Sequence, residues 1–142
     1  MKDAFVFERP VRFEDVDVAG VVFFARFLNF CHEAMEAFFG AIEGGYSHLV
    51  LVRKIGFPAV HFDIDYRSPL RYGETASITV DITKLGNKSV VLHYSMRRKG
   101  EAEIVAEGFH TCVVSDLVRL QGIFMPDDIR AHLEAHLVAL AP

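Results

Sequence analysis

Between Ala25 and Phe39 the apolar residues fall at helical spacing. Phe27, Phe30, Cys31, Ala34, Phe38 and, just beyond, Ala41 form one stripe, while Arg26, Asn29, Glu33 and Glu36 share another side. Gly40 and the Gly44-Gly45 pair mark the stop. A stripe this wide and this aromatic calls for a sheet wrapped around the helix rather than contact along one edge. The rest of the chain supplies strands. Phe5, Phe7, Arg9 and Val11 alternate with Val6, Glu8 and Arg12, which predicts a strand running through Phe13. Ala59–Ser68 sets Val60, Phe62, Ile64 and Tyr66 against His61, Asp63, Asp65 and Arg67. Thr75–Leu85 places Ile78, Val80 and Ile82 on one face, and Gly86-Asn87 turns the chain. Ser89–Arg98 and Glu103–Ser115 follow, joined by Lys99-Gly100-Glu101, with a short strand at Val118–Ile123. Pro126-Asp127-Asp128 opens a last helix to about Ala139.

The order of strand, loop, long helix and then consecutive antiparallel strands is α+β, and a meander around one buried helix is its simplest packing. Such a sheet has an open edge that a second copy of the chain is suited to cover, so a symmetric homo-oligomer is expected. No linker or repeat divides the 142 residues, which reads as one domain. An apolar share of 51% with 24% charged residues excludes a disordered chain, and a net charge of −4 argues against a nucleic-acid partner. No apolar run approaches a membrane span, and the N-terminus shows no secretory leader, so a cytoplasmic location is expected. Cys31 and Cys112 are too few, and too far from any CxxC pattern, for a disulfide framework or a thiolate zinc site. His132 and His136 stand four apart but off the His-Glu-x-x-His pattern, and read as part of a surface helix rather than a metal pair.

The chemistry concentrates in residues 14–24. Glu14, Asp15 and Asp17 crowd a loop that enters the apolar helix, whose N-terminus offers unpaired N–H groups and partial positive charge. An acid, a glycine-containing turn and a helix start are the parts of a hydrolytic site without a serine triad. An Asp before a helix is equally the ordinary choice for a cap.

The run RFEDVDVAGVVFFARFLNFCHEAMEAFF, residues 12–39, resembles the signature of the hotdog-fold acyl-CoA thioesterases, in the 4-hydroxybenzoyl-CoA thioesterase branch. Asp15-x-Asp17-x-x-Gly20 is followed by apolar Val21 and Val22, aromatic Phe23 and Phe24, and the helix. GFPAVHFDIDYRSPLRYGE (56–74) and NKSV (87–90) extend the likeness over most of the chain. Cys31-His32-Glu33-Ala34 and Pro58-Ala59-Val60-His61 are similar to the 1,4-dihydroxy-2-naphthoyl-CoA hydrolases. The resemblance implies a single hotdog thioesterase domain over 1–142, an antiparallel sheet around a central helix, and a homodimer or homotetramer with active sites between subunits. It implies an acyl-CoA substrate and no cofactor or metal.

By position, Asp17 matches the catalytic carboxylate, as nucleophile or general base, and the backbone N–H of Phe24 matches the oxyanion donor. Asp15 fits a structural role in the loop. His32 stands where the 4-hydroxybenzoyl enzyme carries an acid against the ring hydroxyl, and a neighbouring branch carries His where this chain has Phe24. Phe23, Glu33, Phe57 and His61 complete the expected substrate contacts, and Lys88, Ser89 and Arg119 the expected CoA contacts. An aromatic hydroxyacyl-CoA is the leading substrate class, with short- or medium-chain acyl-CoA or a carrier-protein thioester as the alternative. A dehydratase reading lacks its HFPG-type helix entry, and a non-catalytic acyl-CoA sensor has no use for a carboxylate at the carbonyl.

Overall fold

The computed structural model describes residues 4–139. Its elements are β1 (Phe5–Pro10), α1 (Arg26–Phe39), α2 (Gly45–Leu51), β2 (Ile55–Gly56), β3 (Ala59–Tyr66), β4 (Thr75–Leu85), β5 (Ser89–Arg98), β6 (Ile104–Val113), β7 (Ser115–Asp116), β8 (Gln121–Gly122) and α3 (Asp127–Ala135). Five strands form one antiparallel sheet in the order β1-β4-β5-β6-β3, and β2, β7 and β8 form a small second sheet. The meander expected from the sequence is confined to β4-β5-β6. The chain leaves β1 through α1 and returns at the far edge as β3, which leaves β3 and β1 as the two open edges.

The inner face of the sheet carries Ala76, Ile78, Val80 and Ile82 of β4 and Val90, Leu92, Tyr94 and Met96 of β5, all essentially buried. α1 lies on this face and buries Phe27, Phe30, Cys31, Ala34, Met35, Phe38 and Phe39. The buried arc is wider than the expected stripe because Met35 and Phe39 join it; Phe39 meets Phe57, their rings stacked at 4.3 Å. Ala41 falls beyond the helix and is exposed.

Three expectations are corrected, and one helix is added. β1 ends at Pro10, one further bond runs from the Val11 N–H to the Glu74 carbonyl at 2.8 Å, and residues 13–15 form a 3-10 turn instead of extending the strand. Residues 45–51 are helical: Gly44, at φ +82°, turns the chain into α2, and a Cβ there would collide with the His48 ring. The strand expected at Val118–Ile123 shrinks to Gln121–Gly122, with a turn before it. α3 stops at Ala135, and it is not a plain surface helix. Ile129, His132 and Leu133 are buried, and the His132 Nε2 meets the Phe38 carbonyl at 2.8 Å. No helix among the described residues is long and apolar enough to cross a membrane.

Candidate active site

The loop from Pro10 to Ala25 is held by one buried carboxylate. Asp15 is fully buried and accepts from both terminal nitrogens of Arg9, at 2.7 and 3.2 Å, and from the Arg12 backbone N–H at 2.7 Å. The Arg26 Nε lies 3.4 Å away on the helix side. Burial by itself pushes the Asp15 carboxyl up, but these hydrogen bonds and the Arg9 and Arg26 charges outweigh it, and the group stays below its ordinary range. Arg9, itself buried on β1, gives its Nε to Glu33 of α1 at 3.0 Å and stacks over the Phe30 ring. Strand, loop and helix therefore share one ion network. The Asp15 carbonyl also accepts from the Phe23 N–H at 3.3 Å, which links the loop to the start of α1.

Asp17 follows two residues later on the exposed side. Its backbone closes a tight turn: its N–H donates to the Val21 carbonyl (3.0 Å) and its carbonyl accepts from Gly20 (2.9 Å), with Gly20 at φ +77°. Its Oδ1 accepts from the Ala19 N–H at 2.9 Å, leaving Oδ2 toward solvent without a partner among the described residues. Asp17 lines a hollow of about 520 Å³ with Phe13, Val16, Val18 and Tyr72.

α1 starts without a side-chain cap. Arg26, Phe27 and Leu28 donate back to Phe23, Phe24 and Ala25 in a tight first turn, and among the described residues nothing accepts from the Phe24 N–H. The Phe24 carbonyl takes the Tyr66 hydroxyl at 2.9 Å. Tyr66 also sets its ring edge-on to Phe27, which fixes this turn against β3. Phe24, Phe27, Tyr66, Val22 and Ser68 line a second hollow of about 330 Å³. Asp17 and Phe24 thus stand on one short, braced segment, but they face two neighbouring hollows rather than one. Leu28 and His32 continue from Phe24 at four-residue spacing, and all three side chains are exposed, so they make a row along the open side of α1.

The remaining expected residues divide. His32 is exposed and pairs with Glu36 at 3.2 Å. Phe23 is exposed beside the site. Glu33 has its carboxylate committed to Arg9, and Phe57 is packed in the core, so neither presents a free group to a ligand. His61 lies on the outer side of β3, paired with Asp63 at 3.0 Å. Lys88 and Ser89 sit at the β4–β5 turn and Arg119 on the turn between β7 and β8, all exposed. Tyr66 and Leu28 were not singled out in the sequence; the β3 alternation put Tyr66 on the inner face, but its bond to Phe24 depends on the register with β6. Cys31 and Cys112 are free and buried, and burial pushes both thiols up to about 12, so neither supplies a thiolate at neutral pH. Tyr66→Phe is expected to lower kcat/KM about 3- to 10-fold with the fold intact, the ordinary worth of one hydrogen bond. Steady-state kinetics beside a thermal melt checks it, and an unchanged kcat/KM contradicts a role for the Tyr66 bond.

The family model for the thioesterase-like superfamily matches residues 11–133, and the chain belongs to that superfamily of hotdog-fold hydrolases. The chain is 34% identical over 110 residues to a 1,4-dihydroxy-2-naphthoyl-CoA hydrolase of Synechococcus elongatus, covering 77% of this chain and 81% of that protein. A thioesterase-superfamily structure from Jannaschia superposes with a TM-score of 0.88 at 28% identity, over 98% of this chain and 96% of the other. The gentisyl-coenzyme A thioesterase BH1999 superposes with a TM-score of 0.80 at 28% identity, over 89% and 99%.

Proposed function

We propose that the protein hydrolyses an aromatic hydroxyacyl-CoA to the free acid and CoA, at a site formed by Asp17 and the Phe24 N–H. The unpaired Phe24 N–H at the start of α1 carries this assignment, because a thioester carbonyl placed there gains a donor as its oxygen becomes negative. Asp17 supplies the oxygen chemistry. As a base it takes a proton from water, the resulting hydroxide adds to the carbonyl carbon, and collapse of the tetrahedral oxyanion breaks the C–S bond; the CoA thiolate leaves and recovers the proton from Asp17. As a nucleophile it forms an acyl anhydride with loss of the CoA thiolate, and water then cleaves the anhydride. Both routes use the same two groups, and neither needs a metal or cofactor.

The aryl preference is supported by the row along α1. Phe24 and His32 are eight residues apart, about 12 Å along a helix, and helical side chains lean back toward the N-terminus. A ring whose carbonyl rests at Phe24 extends over Leu28 toward the His32 imidazole, which can donate to or accept from a phenol. Two of the similar proteins act on hydroxyaryl-CoA thioesters.

A second copy of the chain would close the site. β3 is an open edge, and Phe13 (77%), Val18 (fully) and Phe24 (72%) lie exposed around the two hollows. Sedimentation velocity at micromolar concentration is expected to report a dimer or tetramer; a monomer that turns over at full rate contradicts a shared site. Substrate class is tested by thiol release from 1,4-dihydroxy-2-naphthoyl-, 4-hydroxybenzoyl-, benzoyl- and octanoyl-CoA. The hydroxyaryl thioesters should show the highest kcat/KM, and His32→Ala should narrow their lead over benzoyl-CoA. Preference for octanoyl-CoA would leave the hydrolase and remove the aryl assignment.

A further inference from the structure

Phe124 is 71% exposed, although its backbone is fastened on both sides. The Ile123 N–H donates to the Val114 carbonyl at 2.8 Å, the Met125 N–H donates to the Asn87 carbonyl at 3.1 Å, and the Met125 side chain is buried. The ring is therefore held out into solvent by a rigid support. Lys88 Nζ lies over it, 5.0 Å from the centroid. The turn that carries Lys88 is itself braced, because Arg130 donates to the Gly86 carbonyl at 2.7 Å and the Lys88 carbonyl accepts from Val114. Gly122 of β8 lies beside the Lys88 stem, which sets the β7–β8 hairpin against the same turn; Arg119 is carried on the turn of that hairpin. Neither Lys88 nor Arg119 has a carboxylate partner among the described residues.

A free cation over a rigid, exposed aromatic ring, with a second on the turn of the adjoining hairpin, on a chain of net charge −4, fits a ligand with a flat base and phosphates. We propose that Phe124 is the stacking platform for the adenine of CoA, with Lys88 and Arg119 meeting the adenosine phosphates, a seat that rests on the acyl-CoA assignment above. Adenine takes the ring face that Lys88 leaves open. Lys88 covers the other face, and its ammonium is free to pair with a phosphate at the edge of the stack. This adds an aromatic contact to the CoA residues read from the sequence, and it explains why an exposed Phe stands where a polar residue would cost nothing in packing.

The test is calorimetric titration of the full chain with adenosine 3′,5′-bisphosphate, an acyl-free probe. Phe124→Ala should weaken binding about tenfold, within the range that loss of a base–aromatic stack costs, and Phe124→Trp should restore it. Lys88→Met should weaken the bisphosphate more than adenosine. In parallel, the preference for an acyl-CoA over the corresponding acyl-pantetheine thioester, read as kcat/KM, should fall about tenfold in Phe124→Ala. Bisphosphate affinity equal to wild type in Phe124→Ala overturns the platform. So does a Phe124→Ala protein that sediments as a smaller species with its nucleotide affinity intact, because the ring then belongs to an interface with a second copy. Nucleotide binding that depends on Phe124, in a protein that releases thiol from no thioester, leaves the seat standing and removes the hydrolase assignment.

Discussion

Asp17→Asn is expected to lower kcat at least ~10²-fold on every thioester the wild-type protein turns over, the usual scale for removing a catalytic base or nucleophile. The substitution isolates charge from shape. Asn keeps an Oδ1 to accept from Ala19 and so keeps the turn closed by Asp17, Gly20 and Val21. Asp17 is exposed and has no cationic partner among the described residues, so stability should stay within about 0.5 kcal/mol of wild type. A large kinetic loss with no change in melting therefore reads the chemistry and not the fold. Turnover within a few-fold of wild type would place the working carboxylate elsewhere.

Arg9→Met is expected to cost about 1–3 kcal/mol of stability at pH 7, because it strips the buried Asp15 carboxylate of its two Arg9 hydrogen bonds and leaves it only the Arg12 N–H and the Arg26 charge. It also frees Glu33 and removes the tie between β1 and α1. The loss depends on pH with a definite sign. The folded-state pKa of Asp15 is lowered, so the stability it contributes is complete above the ordinary carboxylate value of about 3.9 and disappears as pH falls through the lower folded value. The gap between wild type and Arg9→Met should therefore be widest near neutral pH and shrink toward pH 3. Urea unfolding at both pH values measures it. A gap below about 1 kcal/mol, or one that does not change with pH, contradicts a paired, ionised Asp15.

The elements that were legible in the sequence are those bounded by clear turn signals or carrying a wide apolar face. Thr75–Leu85 and Ser89–Arg98 keep their expected ends because the Gly86-Asn87 turn and the Lys99-Gly100-Glu101 turn mark where they stop. α1 begins within a residue of expectation. The end of β1 was missed because Val11 is buried, continues the alternation by sequence and still bonds the Glu74 carbonyl before the chain turns at residues 13–15. α2 has neither a side-chain cap nor the length to show a period. At the site, Asp17 and Phe24 came from the resemblance and from the chemistry of a helix start. Arg9 looked like one more strand residue, and its tie to Glu33, 24 positions away, is a tertiary fact that no local pattern carries. The same network holds Glu33 against Arg9, and Phe57 stacks on Phe39.

The measurement closest to the central claim is simultaneous release of thiol and free acid from 1,4-dihydroxy-2-naphthoyl-CoA by the wild-type protein. The account predicts equimolar thiol and acid, saturating with substrate, at a turnover of about 1–10³ s⁻¹. A protein that binds this thioester tightly and releases neither product would contradict it.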